Sequence, residues 1–276
     1  RGISVVIGPG ETVGDALVRD SRVNLVSLTG SVETGERLCQ IAGMKKVLLE
    51  LGSNSSVIVE EEELPESIWK KIVSSAFAQA GQVCISVQKL YICGGQMENV
   101  LERLLSLISG LKVGNPMEED TDVGPMIASS AVERVLAWAE EAREAGAQIL
   151  PKIQRDGNFL YPFLIVNARE DLAVCAREAF APLLVVQQVP SFDEAIQRVN
   201  HSIYGLQCGV FTRKLEHIWK AIYEIEVGGV LINEVPTFRV DQMPYGGVKK
   251  SGMGREGPRY AIQEMTELKL ISLNLV

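Results

Sequence analysis

Short apolar runs rich in Val, Ile and Leu alternate along the chain with longer stretches whose apolar residues recur at helical spacing. Strands are predicted at residues 23–28, 47–49, 57–59, 90–93, 163–166, 183–189, 209–211, 230–232 and 269–275. Helices are predicted at residues 33–42 and 65–80, the second ending at Gly81. This alternation is typical of βα units, and it indicates an α/β fold with mostly parallel sheets.

Two further helix starts carry a capping box, in which a serine and a nearby glutamate satisfy each other's free backbone donors. The pairs are Ser130 with Glu133, and Ser191 with Glu194. We therefore expect a helix to start at each of these two points.

The composition is that of a globular protein with a sizeable core, since 46% of the 276 residues are apolar and 22% are charged. The net charge of −8 and the lack of any basic cluster argue against nucleic acid or an acidic membrane surface as partners. The longest apolar runs are far shorter than the roughly 20 residues that span a bilayer. No membrane segment is predicted.

The chain has five cysteines, Cys39, Cys84, Cys93, Cys175 and Cys208. They lack the even spacing of a disulfide framework and contain no CxxC pair, which favours a reducing compartment and predicts a cytoplasmic location. The two histidines, His201 and His217, do not have the spacing of metal ligands. No metal site is predicted.

Two residues carry the candidate chemistry. Cys84 ends the sequence Gly-Gln-Val-Cys after the predicted helix, and Glu50 stands 34 positions earlier, directly after a predicted strand. A polarisable thiolate attacks an aldehyde carbonyl well, and a carboxylate at a strand end can activate the water that hydrolyses a thioester. Taken alone, each residue has a commoner structural role, the cysteine as a small apolar residue and the glutamate as a solvated strand end.

The cysteine and the glutamate occur together with three further motifs. These are Glu-Ala-Phe-Ala-Pro from Glu178, an asparagine at Asn233, and Pro-Tyr-Gly-Gly-Val-Lys-Lys-Ser-Gly from Pro244. In order and approximate spacing the set resembles the aldehyde dehydrogenase superfamily from about residue 6 to residue 275, matching the C-terminal part of that polypeptide. Because the chain opens with Arg1 next to an apolar pattern, we expect that residue to be a cut point.

The resemblance implies an aldehyde dehydrogenase-like α/β fold, with mostly parallel twisted sheets, flanking helices, a partial cofactor domain and a complete catalytic domain. Residues 1–51 would form the C-terminal remainder of the dinucleotide-binding domain, and residues 52–247 would form the catalytic thiol domain. Residues 248–276 would form a return segment and an oligomerisation strand. In the family that strand extends a sheet across a subunit interface, which implies a homodimer or homotetramer. The alternative is an internal edge strand.

The resemblance also implies an activity, the oxidation of a small aldehyde to its carboxylic acid with NAD or NADP as cofactor. Cys84 would be the nucleophile that forms the thiohemiacetal, and Glu50 the general base for deacylation. Family members that pass the acyl group to coenzyme A typically lack this glutamate, so the chain looks built for hydrolysis. The sequence leaves open the choice of cofactor and of aldehyde.

Two glycine-rich turns follow apolar runs, at residues 8–14 and 29–35, and either could cradle phosphate or be only a tight βα turn. The resemblance points to the second turn, with Ser31 near the pyrophosphate, and places Glu178 at the nicotinamide ribose and Phe180 beside the ring. The cofactor-binding residues implied in this way are Gly30, Ser31, Gly35, Leu51, Gly52, Glu178 and Phe180.

Two residues are candidates for substrate contact. Asn233 matches a family position near the reacting centre, although a loop asparagine is more often a turn residue. Arg239 lies in a stretch that would line the substrate entrance, and its guanidinium can pair bidentately with a carboxylate, phosphonate or phosphate. Similar stretches occur in family members that act on lactaldehyde or small anionic aldehydes. The alternative for Arg239 is a structural ion pair, with Asp241 as the candidate partner.

Two other functions stay open. The family's side-chain amide for the oxyanion hole and its lysine for the adenosine ribose lie upstream of Arg1, so this chain is expected to bind a dinucleotide poorly. It could then be a non-catalytic fragment or scaffold. A cofactor-independent thiol esterase would need only Cys84 and Glu50.

Overall fold

The computed structural model describes residues 2–60 and 63–275. Its helices are α1 (Asp15–Arg19), α2 (Val32–Ala42), α3 (Glu66–Phe77), α4 (Met97–Ser109), α5 (Ser129–Glu144), α6 (Ala173–Ala176), α7 (Phe192–His201), α8 (Leu215–Glu224) and α9 (Pro258–Glu264), with a π-helical turn at Gly10–Gly14 and a 3₁₀ turn at Ala78–Gly81. Its strands are β1 (Leu25–Thr29), β2 (Lys46–Glu50), β3 (Ser56–Val59), β4 (Lys89–Cys93), β5 (Gln148–Leu150), β6 (Arg155–Asp156), β7 (Phe159–Leu160), β8 (Phe163–Val166), β9 (Leu183–Val189), β10 (Tyr204–Gly205), β11 (Gln207–Phe211), β12 (Gly229–Ile232), β13 (Val248–Lys249) and β14 (Gly252–Met253). In the described part of the chain, no helix is both long and apolar enough to cross a membrane.

The larger sheet has seven strands in the order β12-β11-β3-β4-β9-β8-β5. All neighbouring strands are parallel except β5, which runs antiparallel to β8. Successive side chains face opposite sides, so Val57 and Val59 pack into one core cluster and Ile58 into another. Helices cover both faces, as a parallel sheet requires. The predicted, mostly parallel sheet is confirmed.

A smaller sheet, in the order β1-β2-β14, places Glu50. Strands β1 and β2 are parallel, with Thr29 opposite Glu50, and β14 is antiparallel to β2, with Gly252 on the other side of the same residue. Helix α2 covers this sheet by packing Leu38 against Leu49 and its neighbours. Glu50 therefore ends the central strand of the smaller sheet.

Most of the predicted elements are confirmed, with the internal strands ending within two residues of the predicted bounds. Helix α7 starts as predicted, because the Ser191 Oγ accepts the Glu194 backbone N–H at 3.2 Å. The capping box at Ser130 was wrong. Helix α5 begins at Ser129, so the cap position is the extended Ala128, two residues before Ser130, and no side chain forms a hydrogen bond there. Helix α3 ends at Phe77, before the predicted residue 80.

The predicted strand at residues 269–275 is absent from the described chain. From Leu268 onward the apolar side chains are largely exposed, notably those of Leu268, Leu270, Leu273 and Leu275. The segment is anchored at its start, where the Lys46 ammonium donates to the carbonyl of Thr266 at 2.8 Å. No strand within the described part of the chain pairs with it, so the alternative of an internal edge strand stays open. Its role between subunits stays a prediction.

Candidate functional site

A cavity of about 660 Å³ opens beside the carboxyl end of β2. It brings together most of the residues singled out from the sequence, namely Gly30, Ser31, Glu50, Leu51, Gly52, Cys84, Glu178 and Phe180. Residues from six separate parts of the chain therefore line one cavity. The same cavity adds residues that the sequence did not indicate, namely Arg134, Trp138, Arg177 and Tyr204.

A left-handed turn leads the chain from α3 to Cys84. Gln79, Ala80 and Gly81 have consecutive positive φ angles of 52°, 56° and 66°. Two successive non-glycine residues in this region are uncommon and are sustained only by surrounding contacts. At Gly81 a Cβ atom would overlap the carbonyl oxygen of Ala181. The glycine before Cys84 is thus required by both its backbone angle and its close neighbour.

Gln82 fixes the same loop from the other side. Its Oε1 accepts the backbone N–H of Ile127 at 2.9 Å, and its Nε2 donates to the carbonyl of Pro125 at 3.3 Å. The glutamine of the Gly-Gln-Val-Cys sequence therefore ties the cysteine loop to the segment before α5.

The half-buried Cys84 thiol lies 3.1 Å from the hydroxyl of Tyr245. Burial raises the pKa of the thiol above its ordinary value, and the carboxylates of Glu178 and Glu50 raise it further. The Tyr245 hydrogen bond acts in the opposite direction and lowers the pKa. At neutral pH the resting thiol is therefore protonated.

The other four cysteines lie outside this cavity. Cys93, Cys175 and Cys208 are buried, and burial raises the pKa of each thiol to about 12. Cys39 is exposed on α2. Cys84 is thus the one cysteine of the five that lines the cavity.

Glu50 lies between two cavities. It lines the cavity of Cys84 and also a second one of about 360 Å³, which contains Arg239, Arg255 and Glu256. Its buried Oε2 has no hydrogen-bond partner. A Cβ at Gly246 would stand 2.9 Å from its Oε1, so this glycine leaves room for the carboxyl group.

The surroundings of Glu50 favour the protonated carboxyl group. Burial raises its pKa to about 8, and the Glu256 carboxylate adds to the increase. The cations of Arg255 and Arg239 act in the opposite direction. A carboxyl group with a pKa near neutrality is suited to accept a proton from water.

Glu178 reaches the cavity wall at Gly52. Its Oε1 accepts the Ser53 backbone N–H at 2.9 Å, and a Cβ at Gly52 would overlap its Oε2. Burial raises the pKa of Glu178. Phe180, two residues on, has a positive φ of 48° and is 39% exposed. Its exposed side chain is free to pack against a flat group in the cavity.

The turn at Gly30 and Ser31 forms the N-terminus of α2. The Ser31 Oγ accepts the Thr34 backbone N–H at 3.3 Å, and the Gly30 N–H donates to the Glu50 carbonyl at 3.0 Å. The N-terminus of a helix of 11 residues is a ready site for an anion. The other glycine-rich turn, residues 8–14, does not line the cavity.

Gly35 lies inside α2 and is not among the residues that line the cavity. A Cβ there would stand 2.7 Å from the Leu51 Cδ1. The position thus allows α2 to approach the chain that leaves β2. Its contacts in this structure are those of helix packing.

Asn233 lies apart from the cavity. It follows the carboxyl end of β12, whereas Cys84 precedes the amino end of β4, and these strands belong to one run of parallel strands. The Asn233 Oδ1 accepts the Thr212 backbone N–H at 3.1 Å, and its φ is 56°. The structure therefore shows Asn233 as a turn residue at the opposite edge of the sheet.

Arg239 forms an ion pair with Glu256 at 2.9 Å, in place of the pair considered with Asp241. Its guanidinium carbon lies 4.5 Å from the ring centroid of Tyr245. Sequence reasoning missed the contact of this tyrosine with Cys84. The one available signal was an aromatic residue within the glycine-rich run that begins at Pro244.

The chain is similar to known proteins over nearly its whole length. The aldehyde dehydrogenase family matches residues 2–271. A 3-sulfolactaldehyde dehydrogenase of Priestia aryabhattai is 46% identical over 273 residues, covering 99% of this chain and 57% of that protein. A lactaldehyde dehydrogenase of Methanococcus maripaludis is 38% identical over 275 residues, covering 99% of this chain and 59% of that protein.

A solved structure gives the same result for the fold. The glyceraldehyde-3-phosphate dehydrogenase of Methanocaldococcus jannaschii, complexed with NADP, superposes with a TM-score of 0.91 at 38% identity. The match covers 95% of this chain and 57% of that one, so the chain spans a little over half the length of the relatives it matches. The sequence match and the shared α/β architecture lead to one conclusion: the chain belongs to the aldehyde dehydrogenase family.

Proposed function

We propose that this chain forms part of an NAD(P)-dependent enzyme that oxidises a small aldehyde to its carboxylic acid. The observation that carries the proposal is the single cavity shared by the Cys84 thiol, the Glu50 carboxyl group and the N-terminus of α2 at Ser31. A nucleophile, a base and an anion site in one place are the parts that such a reaction needs. The dehydrogenase names of the relatives support the same reaction class.

The cavity residues fit a nicotinamide dinucleotide. The N-terminus of α2 after Ser31 would hold the pyrophosphate through backbone N–H groups, and the half-buried Glu178 carboxylate would accept hydrogen bonds from ribose hydroxyls. Because Gly52 has no side chain, the Glu178 carboxylate has room at this position. The exposed Phe180 side chain would pack beside the nicotinamide. When bound, the nicotinamide accepts the hydride that leaves the substrate carbon. The fit applies equally to NAD and NADP.

Cys84 would attack the aldehyde carbon through its sulfur and form a thiohemiacetal. Because its pKa is raised, the thiol must release its proton to solvent water before the sulfur attacks. The backbone N–H of Cys84 can donate to the developing oxyanion. After loss of the hydride, the acyl group is held on the sulfur as a thioester.

Glu50 would complete the reaction as the general base. In its carboxylate form it takes a proton from the water that attacks the thioester carbonyl, which releases the carboxylic acid and the free thiol. The buried and unpartnered Oε2 is the atom available for this proton.

Arg239 is the candidate for recognising an anionic group on the aldehyde. It lines the second cavity together with Glu50, and the relatives named for 3-sulfolactaldehyde and lactaldehyde support a small, polar substrate. Its present partner, Glu256, would have to share the guanidinium with the substrate. Asn233 is left out of this proposal because its amide is engaged at the opposite sheet edge.

The proposal extends to assembly and location. The exposed apolar segment that includes Leu268 and Leu273 would pair with another subunit, giving a homodimer or homotetramer. The cysteines, all free in this structure, suit the reducing conditions of the cytoplasm.

The test is to measure dinucleotide binding and the formation of reduced nicotinamide with lactaldehyde and 3-sulfolactaldehyde. Wild type and the Cys39→Ser control are expected to turn over, and Cys84→Ser to lose turnover. Activity that survives in Cys84→Ser would overturn the role of that thiol. No dinucleotide binding, combined with Cys84-dependent ester hydrolysis, would favour the thiol esterase. The absence of both activities would favour the non-catalytic scaffold.

A further inference from the structure

The hydroxyl of Tyr245 reaches the candidate nucleophile from a distant part of the chain. Its Oη lies 3.1 Å from the Cys84 Sγ, across a sequence separation of 161 residues. The Tyr245 side chain is held in a small apolar cluster with Ile85 and Leu206, and the residue is only 4% exposed. The contact is therefore made by a packed ring and not by a mobile surface tyrosine.

A closed set of contacts holds this ring in place. The backbones of Tyr245 and Glu256 exchange hydrogen bonds, with the Tyr245 N–H donating at 3.3 Å and the Glu256 N–H donating at 2.6 Å. The Glu256 carboxylate pairs with Arg239 at 2.9 Å, and the Arg239 guanidinium lies over the Tyr245 ring at 4.5 Å. Each of the three residues contacts the other two, so the direction of the phenol is fixed.

We infer that Tyr245 is a positioning residue for Cys84, donating a hydrogen bond to the thiolate, and that Arg239 strengthens this donor through its contact with the ring. The catalytic meaning of the inference rests on the proposed function. The proton stays on the phenol oxygen throughout, and no covalent bond forms or breaks. The Arg239 cation lowers the pKa of Tyr245, and a more acidic hydroxyl is a better hydrogen-bond donor.

The charges around Cys84 show why such a donor matters. Burial and the carboxylates of Glu178 and Glu50 all disfavour the thiolate, and Tyr245 is the side chain whose hydrogen bond opposes them. Burial, Cys84 and Glu50 raise the pKa of Tyr245, so its hydroxyl keeps its proton at neutral pH and is able to donate. Hydrogen bonds to a charged acceptor are the stronger kind.

The experiment measures the rate of Cys84 alkylation by iodoacetamide as a function of pH, with the modified peptide identified by mass spectrometry. Tyr245→Phe keeps the ring in its apolar cluster and removes only the donor. It is expected to raise the apparent pKa of Cys84 by about one pH unit, which makes alkylation about tenfold slower below that pKa. An unchanged Cys84 pKa would overturn the inference.

A matched control removes a buried phenol oxygen elsewhere. The Tyr91 hydroxyl donates to the Glu170 carboxylate at 3.1 Å and is likewise buried. Tyr91→Phe is expected to leave the Cys84 pKa at its wild-type value. If both variants shift the pKa equally, the effect is a general loosening of the fold and the inference fails.

The role of Arg239 is tested with Arg239→Met, which also serves if Tyr245→Phe does not fold. This variant is expected to raise the Cys84 pKa by less than Tyr245→Phe does. In the double variant, Arg239→Met is expected to add no further increase to that of Tyr245→Phe, because Arg239 acts through the phenol. This part of the inference would be overturned if Arg239→Met raised the Cys84 pKa as much in the Tyr245→Phe variant as in the wild type. It would also be overturned if Arg239→Met alone left the Cys84 pKa unchanged.

These measurements need neither an aldehyde nor a dinucleotide. A chain that oxidises no aldehyde can still show the Tyr245 effect on Cys84, and an active enzyme can lack it. Failure of the proposed function and failure of this inference are therefore distinguishable.

Discussion

The carboxyl group of Glu178 lies directly against the backbone of Gly52. Its Oε1 accepts the next N–H, that of Ser53, at 2.9 Å, and its Oε2 fills the space where a Cβ of residue 52 would be. The lack of a side chain at Gly52 thus leaves space for the Glu178 carboxylate, in addition to any backbone flexibility that glycine provides. This relationship makes the position of Glu178 depend on the size of its neighbour.

Gly52→Ala is expected to push the Glu178 carboxylate away and to weaken dinucleotide binding about tenfold, because a charge-assisted hydrogen bond is lost. The fold is expected to lose only about 1 kcal/mol, since the displaced group is the end of a flexible side chain. Fluorescence titration with the reduced dinucleotide and thermal unfolding measure the two effects. Gly95→Ala is the control, because a Cβ there meets nothing within 4 Å. Equal affinities in both variants would contradict the ribose role of Glu178.

Glu50 is expected to make the stability of the protein depend on pH. Its pKa is about 8 in the folded chain and 4.5 for the free group, so between these values the folded state holds a proton that the unfolded state has released. The folded state then binds more protons, and the free energy of unfolding falls as pH rises through this window.

Glu50→Gln removes this titration and is therefore expected to become more stable relative to wild type as pH increases from about 5 to about 9. Thermal unfolding at several pH values measures the difference. Glu98→Gln, on an exposed position in the first turn of α4, is the control and is expected to show no such trend. A constant difference between Glu50→Gln and wild type at all pH values would contradict the buried carboxyl group.

The same substitution is expected to separate the two halves of the proposed reaction. Without a general base the thioester forms but is hydrolysed slowly, so turnover falls by about 10²-fold to 10⁴-fold while the first hydride transfer persists. Stopped-flow absorbance should then show a burst of reduced nicotinamide close to one per site, followed by a slow phase. A variant that loses the burst and the slow phase equally would assign Glu50 to an earlier step.

The sequence predicted the fold well because the parallel strands are buried on both faces and therefore form continuous apolar runs. The runs at residues 163–166 and 183–189 coincide with β8 and β9. The last predicted run, 269–275, has the same composition but no strand to pair with in the described chain. Local composition cannot report whether the pairing partner lies in the same chain.

The site was predicted only as far as its motifs extend. Cys84, Glu50 and Glu178 each carry a local signature, and they do meet in one cavity. The hydrogen bond from Tyr245 depends on the return of the chain after residue 240, and no short pattern encodes a contact across 161 positions. The edge of the sheet at which Asn233 lies depends on the strand order, which hydrophobic periodicity does not give.

The left-handed turn before Cys84 provides the last prediction, since it can be tested with a matched pair of glycines. Gly81 and Gly157 have similar positive φ angles, 66° and 55°, but a Cβ would overlap the Ala181 carbonyl at Gly81 and would meet nothing within 4 Å at Gly157. Both alanine variants are expected to lose about 1 kcal/mol from the backbone conformation. Gly81→Ala is expected to lose about 1 to 3 kcal/mol more, because neither backbone segment can give way without moving the other. Denaturant unfolding compares the two, and the alkylation rate of Cys84 reports whether the loop has moved. Equal losses in the two variants would show that the Ala181 contact adds nothing to the requirement for glycine.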